Sequence, residues 1–121
     1  MIEEQYISFE TAKLAKEKGF NELCNSDYCK GLINYPHADN EYTNSQISED
    51  GRISRPTQAL LAMWLREKHN LHVGVGFCVN WRYIIIPITD KIIANWSTSE
   101  NSYSTYDEAM EIGLQEALKL I

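Results

Sequence analysis

No apolar run in this chain approaches the ~18 residues that a membrane-spanning helix needs; the longest, Tyr83 to Ile88, is of strand length. The opening residues Met1-Ile2-Glu3-Glu4-Gln5 have neither a basic n-region nor an apolar h-region, so no secretory leader and a cytoplasmic location are expected. Basic charge is in short supply. Eleven Lys and Arg stand against seventeen Asp and Glu, a net charge of −6, which argues against wholesale phosphate binding. The three cysteines are an odd number and include no C-x2-C pair, which fits a reducing compartment better than a disulfide framework. Catalytic and cofactor signatures are also lacking. Gly74-x-Gly76 sits inside a strand pattern and opens no helix, so it is not a dinucleotide fingerprint.

What is present is organised around Pro56 to Val79. Pro56 suits the start of a helix, where its missing N–H costs nothing. Thr57 to His69 contains no Gly or Pro, and Leu60, Leu61, Trp64 and Leu65 share one face at 3.6-residue spacing. Asn70 is a left-handed stop. The period then becomes 2: Leu71, Val73, Val75, Phe77 and Val79 alternate with His72, Gly74, Gly76 and Cys78. Glycines inside a strand mark close approach of another backbone, so a helix is expected across Gly74 and Gly76.

Upstream, Ile2 to Ile7 reads as an extended arm. Ser8 caps a helix that stops at Gly19, with Ala12 and Ala15 packed closely. Tyr28–Ile33 and Tyr42–Ile47 read as two extended pieces of an irregular hairpin joined through Tyr35–Asn40, followed by a turn at Glu49-Asp50-Gly51. Downstream, Asn80-Trp81 reads as a tight connection, Arg82 to Ile88 as a second strand and Lys91 to Ser97 as a third. Pro87 has no N–H to donate and belongs at a strand end, bulge or edge. Ser97 to Ser104 is a polar loop. A last helix is capped by Thr105 or Ser104, Thr105 having Glu108 at capping-box spacing, and carries the stripe Tyr106, Met110, Gly113, Leu114, Ala117, Leu118 and Ile121. Gly113 in mid-helix calls for a packing reason, and contact with Gly74 or Gly76 is the expected one. The expected fold is α+β, one domain over residues 1–121. A three-stranded antiparallel meander carries helices on one face, with an N-terminal helix and an irregular hairpin added.

The segments PTQALLAMWLREKHN and TYDEAMEIGLQEALKLI, together with the opening ISFETAKLAKEKGF, resemble a family of small proteins of uncharacterised function from phages and related mobile elements of bacteria. The shared motifs are packing signals, so the resemblance implies a fold and an origin but carries over no functional residue.

Candidate chemistry is sparse. Cys24, Cys29 and His37 could supply three metal ligands on a loop, but a fourth would have to come from Asp27, Asp39 or Cys78, and free thiols are the simpler reading. His69 and His72 straddle the helix stop and are not expected to share a ligand. Arg52, Arg55, Arg66 and Lys68 form the basic cluster, read as a solvated helix end. The chain is therefore expected to be no enzyme, and to use no cofactor, metal or small-molecule ligand. The function expected is that of a small cytoplasmic protein-binding accessory module. The alternative is nucleic-acid binding, because helix–strand–strand–strand–helix is the element order of a double-stranded-RNA-binding domain. Tyr106-Asp107-Glu108 stands where such a domain places lysine. The partner expected is another protein or a second copy of the chain. Met63 and Ile112, large apolar residues on the polar sides of their helices, are the expected contact residues.

Overall fold

The computed structural model describes residues 2–34, 40–48, 51–89 and 97–121. The chain is mixed α+β, with four helices and two three-stranded antiparallel sheets among the described residues. It divides into two compact units, Met1–Thr57 and Gln58–Ile121, each with buried side chains of its own.

In the first unit, helix α1 (Phe9–Glu17) begins where Ser8 Oγ accepts from the Thr11 amide and ends before Gly19, which takes φ +92°. Both ends follow the cap chemistry of the sequence. Thr11, Ala12 and Ala15 are buried along one side of α1. The arm before it is tied down by the Ile7 amide donating to Pro56 O (3.1 Å) and by the Tyr28 hydroxyl donating to Ile7 O (2.6 Å).

The region after α1 differs from the expected hairpin. Tyr28–Ile33 is not one extended piece but holds a hairpin of its own, with β1 (Asp27–Cys29) and β2 (Leu32–Asn34) reversing at Lys30 and Gly31. Both turn residues have positive φ, the backbone that a two-residue primed turn requires and that Gly31 adopts without cost. Tyr42–Ile47 contains helix α2 (Asn44–Ile47), whose N-cap Thr43 amide donates to Gln46 Oε1 (2.8 Å). β1 pairs instead with β3 (Arg52–Ser54), giving the order β2-β1-β3. The expected connection, Tyr35–Asn40, and the turn Glu49-Asp50 lie almost wholly outside the described residues.

In the second unit, helix α3 (Gln58–His69) ends at Asn70, φ 55°, and the chain enters β4 (Leu71–Cys78). β4 pairs along its whole length with β5 (Asn80–Pro87), and β5 pairs with β6 (Ser97–Thr98). Of the expected third strand, residues 91–96 lie outside the described residues. Helix α4 (Tyr106–Lys119) closes the unit. Thr105 Oγ1 accepts from the Glu108 amide (3.2 Å), while the Glu108 carboxylate accepts from Ser104 Oγ (3.0 Å) instead of completing the box.

The hairpin connection falls one residue earlier than expected. Cys78 pairs with Asn80, so the strands close over Val79 alone, at φ 68°. The left-handed residue is thus a β-branched one, where the sequence offers Asn next door; such a conformation is strained. Pro87 ends β5, as its missing N–H demands.

The core of this unit lies between the helices and one sheet face. Leu61, Trp64 and Leu65 from α3, Leu71 and Val73 from β4, Ile85 from β5, and Ala109, Met110, Leu114, Ala117 and Leu118 from α4 are all buried. Each full burial of a Leu or Val stabilises by roughly 1.5–3 kcal/mol before entropy is counted. The expected contact of Gly113 with Gly74 or Gly76 is not formed. A Cβ on Gly113 would stand 2.7 Å from Tyr83 Cβ and 3.1 Å from Val73 Cγ1, on the bulky face. The strand glycines look the other way, and their space is taken by their own sheet: the His72 ring at Gly74 and Ile84 Cδ1 at Gly76. Apolar area draws the helices, and only the bulky face of β4 offers it.

Candidate interaction surface

The polar clusters of the first unit hold its own fold. Asp27 is buried and ion-paired to Arg52 Nε, with Asn34 Nδ2 3.4 Å from the same carboxylate oxygen. The Arg55 guanidinium lies 4.1 Å from the Tyr6 ring centroid and 5.6 Å from that of Tyr28, and it donates to Ser26 Oγ (3.2 Å). Arg52 and Arg55 are therefore not part of a solvated helix end, as the sequence implied; Arg66 and Lys68 alone occupy the last turn of α3. Buried Asn44 donates to Phe20 O and accepts from the Ser54 amide, both at 2.8 Å. A shallow depression of about 350 Å³ beside it is lined by Lys16, Asn21, Asn44, Ser45 and Ser48. Asn21 Oδ1 accepts from the Ser45 amide there (2.8 Å).

Among the described residues, no three His, Cys, Asp or Glu side chains are grouped to hold a metal ion; His37 and Asp39 lie outside those residues. Cys24 is buried, Cys29 half-buried and Cys78 exposed, all as free thiols. Burial pushes the Cys24 thiol up to about 12, so it stays protonated at neutral pH and is a poor ligand and nucleophile. His69 stacks edge-on against Trp64 at 4.6 Å, while His72 lies at Gly74.

Of the two expected contact residues, Met63 is 49% exposed on α3, whereas Ile112 is half-buried on α4. A more continuous apolar surface lies at the far end of the β4–β5 hairpin. Phe77 and Trp81 are paired across the strands with ring centroids 4.8 Å apart, and Trp81 meets Tyr106, the first residue of α4, at 5.7 Å. Phe77 is 64% exposed, Tyr106 44% and Val79, at the tip, 85%. The strand alternation assigns Phe77 to the core face correctly, but the hairpin runs past the start of α4, so this end of the face has no described helix of the second unit over it.

The platform is firmly held. Trp81 and Tyr103 exchange backbone hydrogen bonds of 3.0 and 2.7 Å, which ties the expected polar loop to the sheet. Arg82 donates to the carbonyls of Ser99 and Glu100, both at 3.0 Å. Behind Trp81, burial and then the Glu116 carboxylate hold the Tyr83 phenol above its ordinary range. The surroundings are acidic: Asp107 and Glu108 occupy the first turn of α4, and Glu100 is exposed nearby in the chain. Among the described residues, no helix is long and apolar enough to cross a membrane.

Comparison with protein-family models, curated proteins and solved structures yields no match.

Proposed function

We propose that this chain is a small non-catalytic protein-binding module, an accessory of phage or mobile-element origin acting in the cytoplasm, and that it engages its partner through the aromatic end of the β4–β5 hairpin. The observation that carries this reading is the row Phe77–Trp81–Tyr106 with Val79 at its tip: Phe77, Tyr106 and Val79 are exposed around the half-buried Trp81 and backed by ordered strand pairing. Rigid aromatic side chains with little entropy left to lose are the usual anchors of protein interfaces. The acidic rim of Asp107 and Glu108 favours a partner segment in which an apolar anchor is flanked by Lys or Arg.

Nucleic-acid binding is the second reading. It is favoured by the order α3–β4–β5–β6–α4, with both helices on one sheet face. The same two acids oppose it, because phosphate would meet them at the start of α4.

Affinity capture from the native host, with wild type beside a Phe77→Ser/Tyr106→Ser variant, tests the proposal. Both residues are exposed, so the variant should fold. A protein retained by wild type, lost with the variant and insensitive to nuclease is the expected result. Unchanged capture by the variant, or capture abolished by nuclease, contradicts it.

A further inference from the structure

The outer edge of β4 carries a second feature, which shares Phe77 with the aromatic tip. β4 stands at the end of the order β4-β5-β6, and no described strand pairs with its other side. The register shows which backbone groups face outward. The Ile88 amide donates to Asn70 O (2.8 Å), making that a hydrogen-bonded pair; in an antiparallel ladder such pairs recur at every second residue. His72–Ile86, Gly74–Ile84, Gly76–Arg82 and Cys78–Asn80 are then the pairs that bond across to β5. The opposite edge of β5 agrees, since Trp81 and Tyr83 bond outward to Tyr103 and Ser99. The N–H and C=O groups of Leu71, Val73, Val75 and Phe77 therefore point away from β5 along the eight-residue strand, with Leu71 and Val73 buried, Val75 half-buried and Phe77 exposed.

Natural sheets blunt such edges with Lys, Pro, bulges or a covering element. LHVGVGFC has no acid, lysine, arginine or proline, and its pairing with β5 runs without a bulge. The strand is also self-complementary. Antiparallel pairing about a twofold axis at Gly74 sets Leu71 opposite Phe77 of a second copy and Val73 opposite Val75. All four outward residues then form hydrogen-bonded pairs, two bonds to each pair. The bulky side chains meet bulky ones on the helix-bearing face, which covers part of the exposed Phe77 ring. On the bare face Gly74 meets Gly74 and His72 meets Gly76, so no two bulky β4 side chains oppose each other there. A symmetric contact of this kind closes on itself and stops at two copies. α3 packs on β4, so the two α3 helices, each with its exposed Met63, would flank the seam.

We infer that the chain forms a twofold homodimer by antiparallel pairing of β4 with β4 of a second copy, joining two three-stranded sheets into one of six strands. Analytical ultracentrifugation of the full chain across the micromolar range tests this, with two variants. Val75→Pro removes an outward N–H at an edge position, where proline is tolerated. Gly74→Glu sets two like charges directly opposite each other at the axis. Within one copy the new Cβ meets only the movable end of His72. Wild type should sediment at twice the chain mass, with the Val75 amide protected from hydrogen exchange. Gly74→Glu should sediment at the chain mass with an unchanged circular dichroism spectrum, and Val75→Pro should do the same wherever it folds. A monomeric wild type, or a dimer that survives Gly74→Glu, overturns the inference.

Discussion

Gly113 of α4 lies so close to Tyr83 of β5 that a Cβ at position 113 would stand 2.7 Å from Tyr83 Cβ. Tyr83 Cβ is fixed to the strand backbone and cannot swing aside, so the helix itself would have to lift. Alanine is the better helix former by about 1 kcal/mol. Overpacking costs roughly 1–3 kcal/mol and should outweigh that gain. Gly113→Ala is expected to lower the midpoint of chemical denaturation, and Gly113→Leu to lower it further. A rise in the midpoint with Gly113→Ala would mean that α4 rides higher than described.

That contact also shows how far the sequence could be read. The change of period at Asn70 and the caps Ser8 and Thr105 state a local backbone requirement, and each is met where the residues predict. A mid-helix glycine announces close approach but not its target. The strand glycines are the natural match in the sequence, yet a helix seeks apolar area, and that lies on the face they leave empty. The turn at Lys30-Gly31 and the Thr43-x-x-Gln46 cap were both present in the sequence, but signals this short lose to the longer extended patterns around them. The aromatic end was illegible for another reason. Alternation gives a side chain's face, while exposure depends on where the covering helix begins.

Arg52 and Asp27 yield a second expectation. The Asp27 side chain is 2% exposed, and removing its cationic partner leaves a carboxylate in a site that water barely reaches. Breaking a buried pair on one side costs roughly 3–5 kcal/mol. Because Arg52 is 21% exposed, Arg52→Ala should fall at the low end of that range in equilibrium denaturation. Arg52 also lies 5.7 Å from the Tyr42 ring centroid, so Arg52→Lys should recover only part of the loss. Full recovery would show that charge alone matters at this position.

Cys24 predicts a dependence on pH. Its thiol is raised from 9.0 to about 12, chiefly by burial. Between those values the folded chain keeps a proton that the unfolded chain has released, so stability falls as pH rises through the window. The slope contributed approaches about 1.4 kcal/mol per pH unit. Below pH 9 the contribution is fully present. Urea denaturation of Cys24→Ala and wild type between pH 8 and pH 11 should show a shallower decline for the variant. Parallel declines would place the thiol in contact with water.

The central claim, that the aromatic end of the β4–β5 hairpin is a protein-binding surface, is tested most directly by photocrosslinking. A p-benzoylphenylalanine at position 106 keeps the ring that touches Trp81 and adds a reactive ketone at an exposed site; exposed Glu17 on α1 provides the control position. Irradiation in the native host should give a discrete adduct with another protein from position 106 and none from position 17. No protein adduct from position 106, or an adduct with nucleic acid instead, would contradict the account.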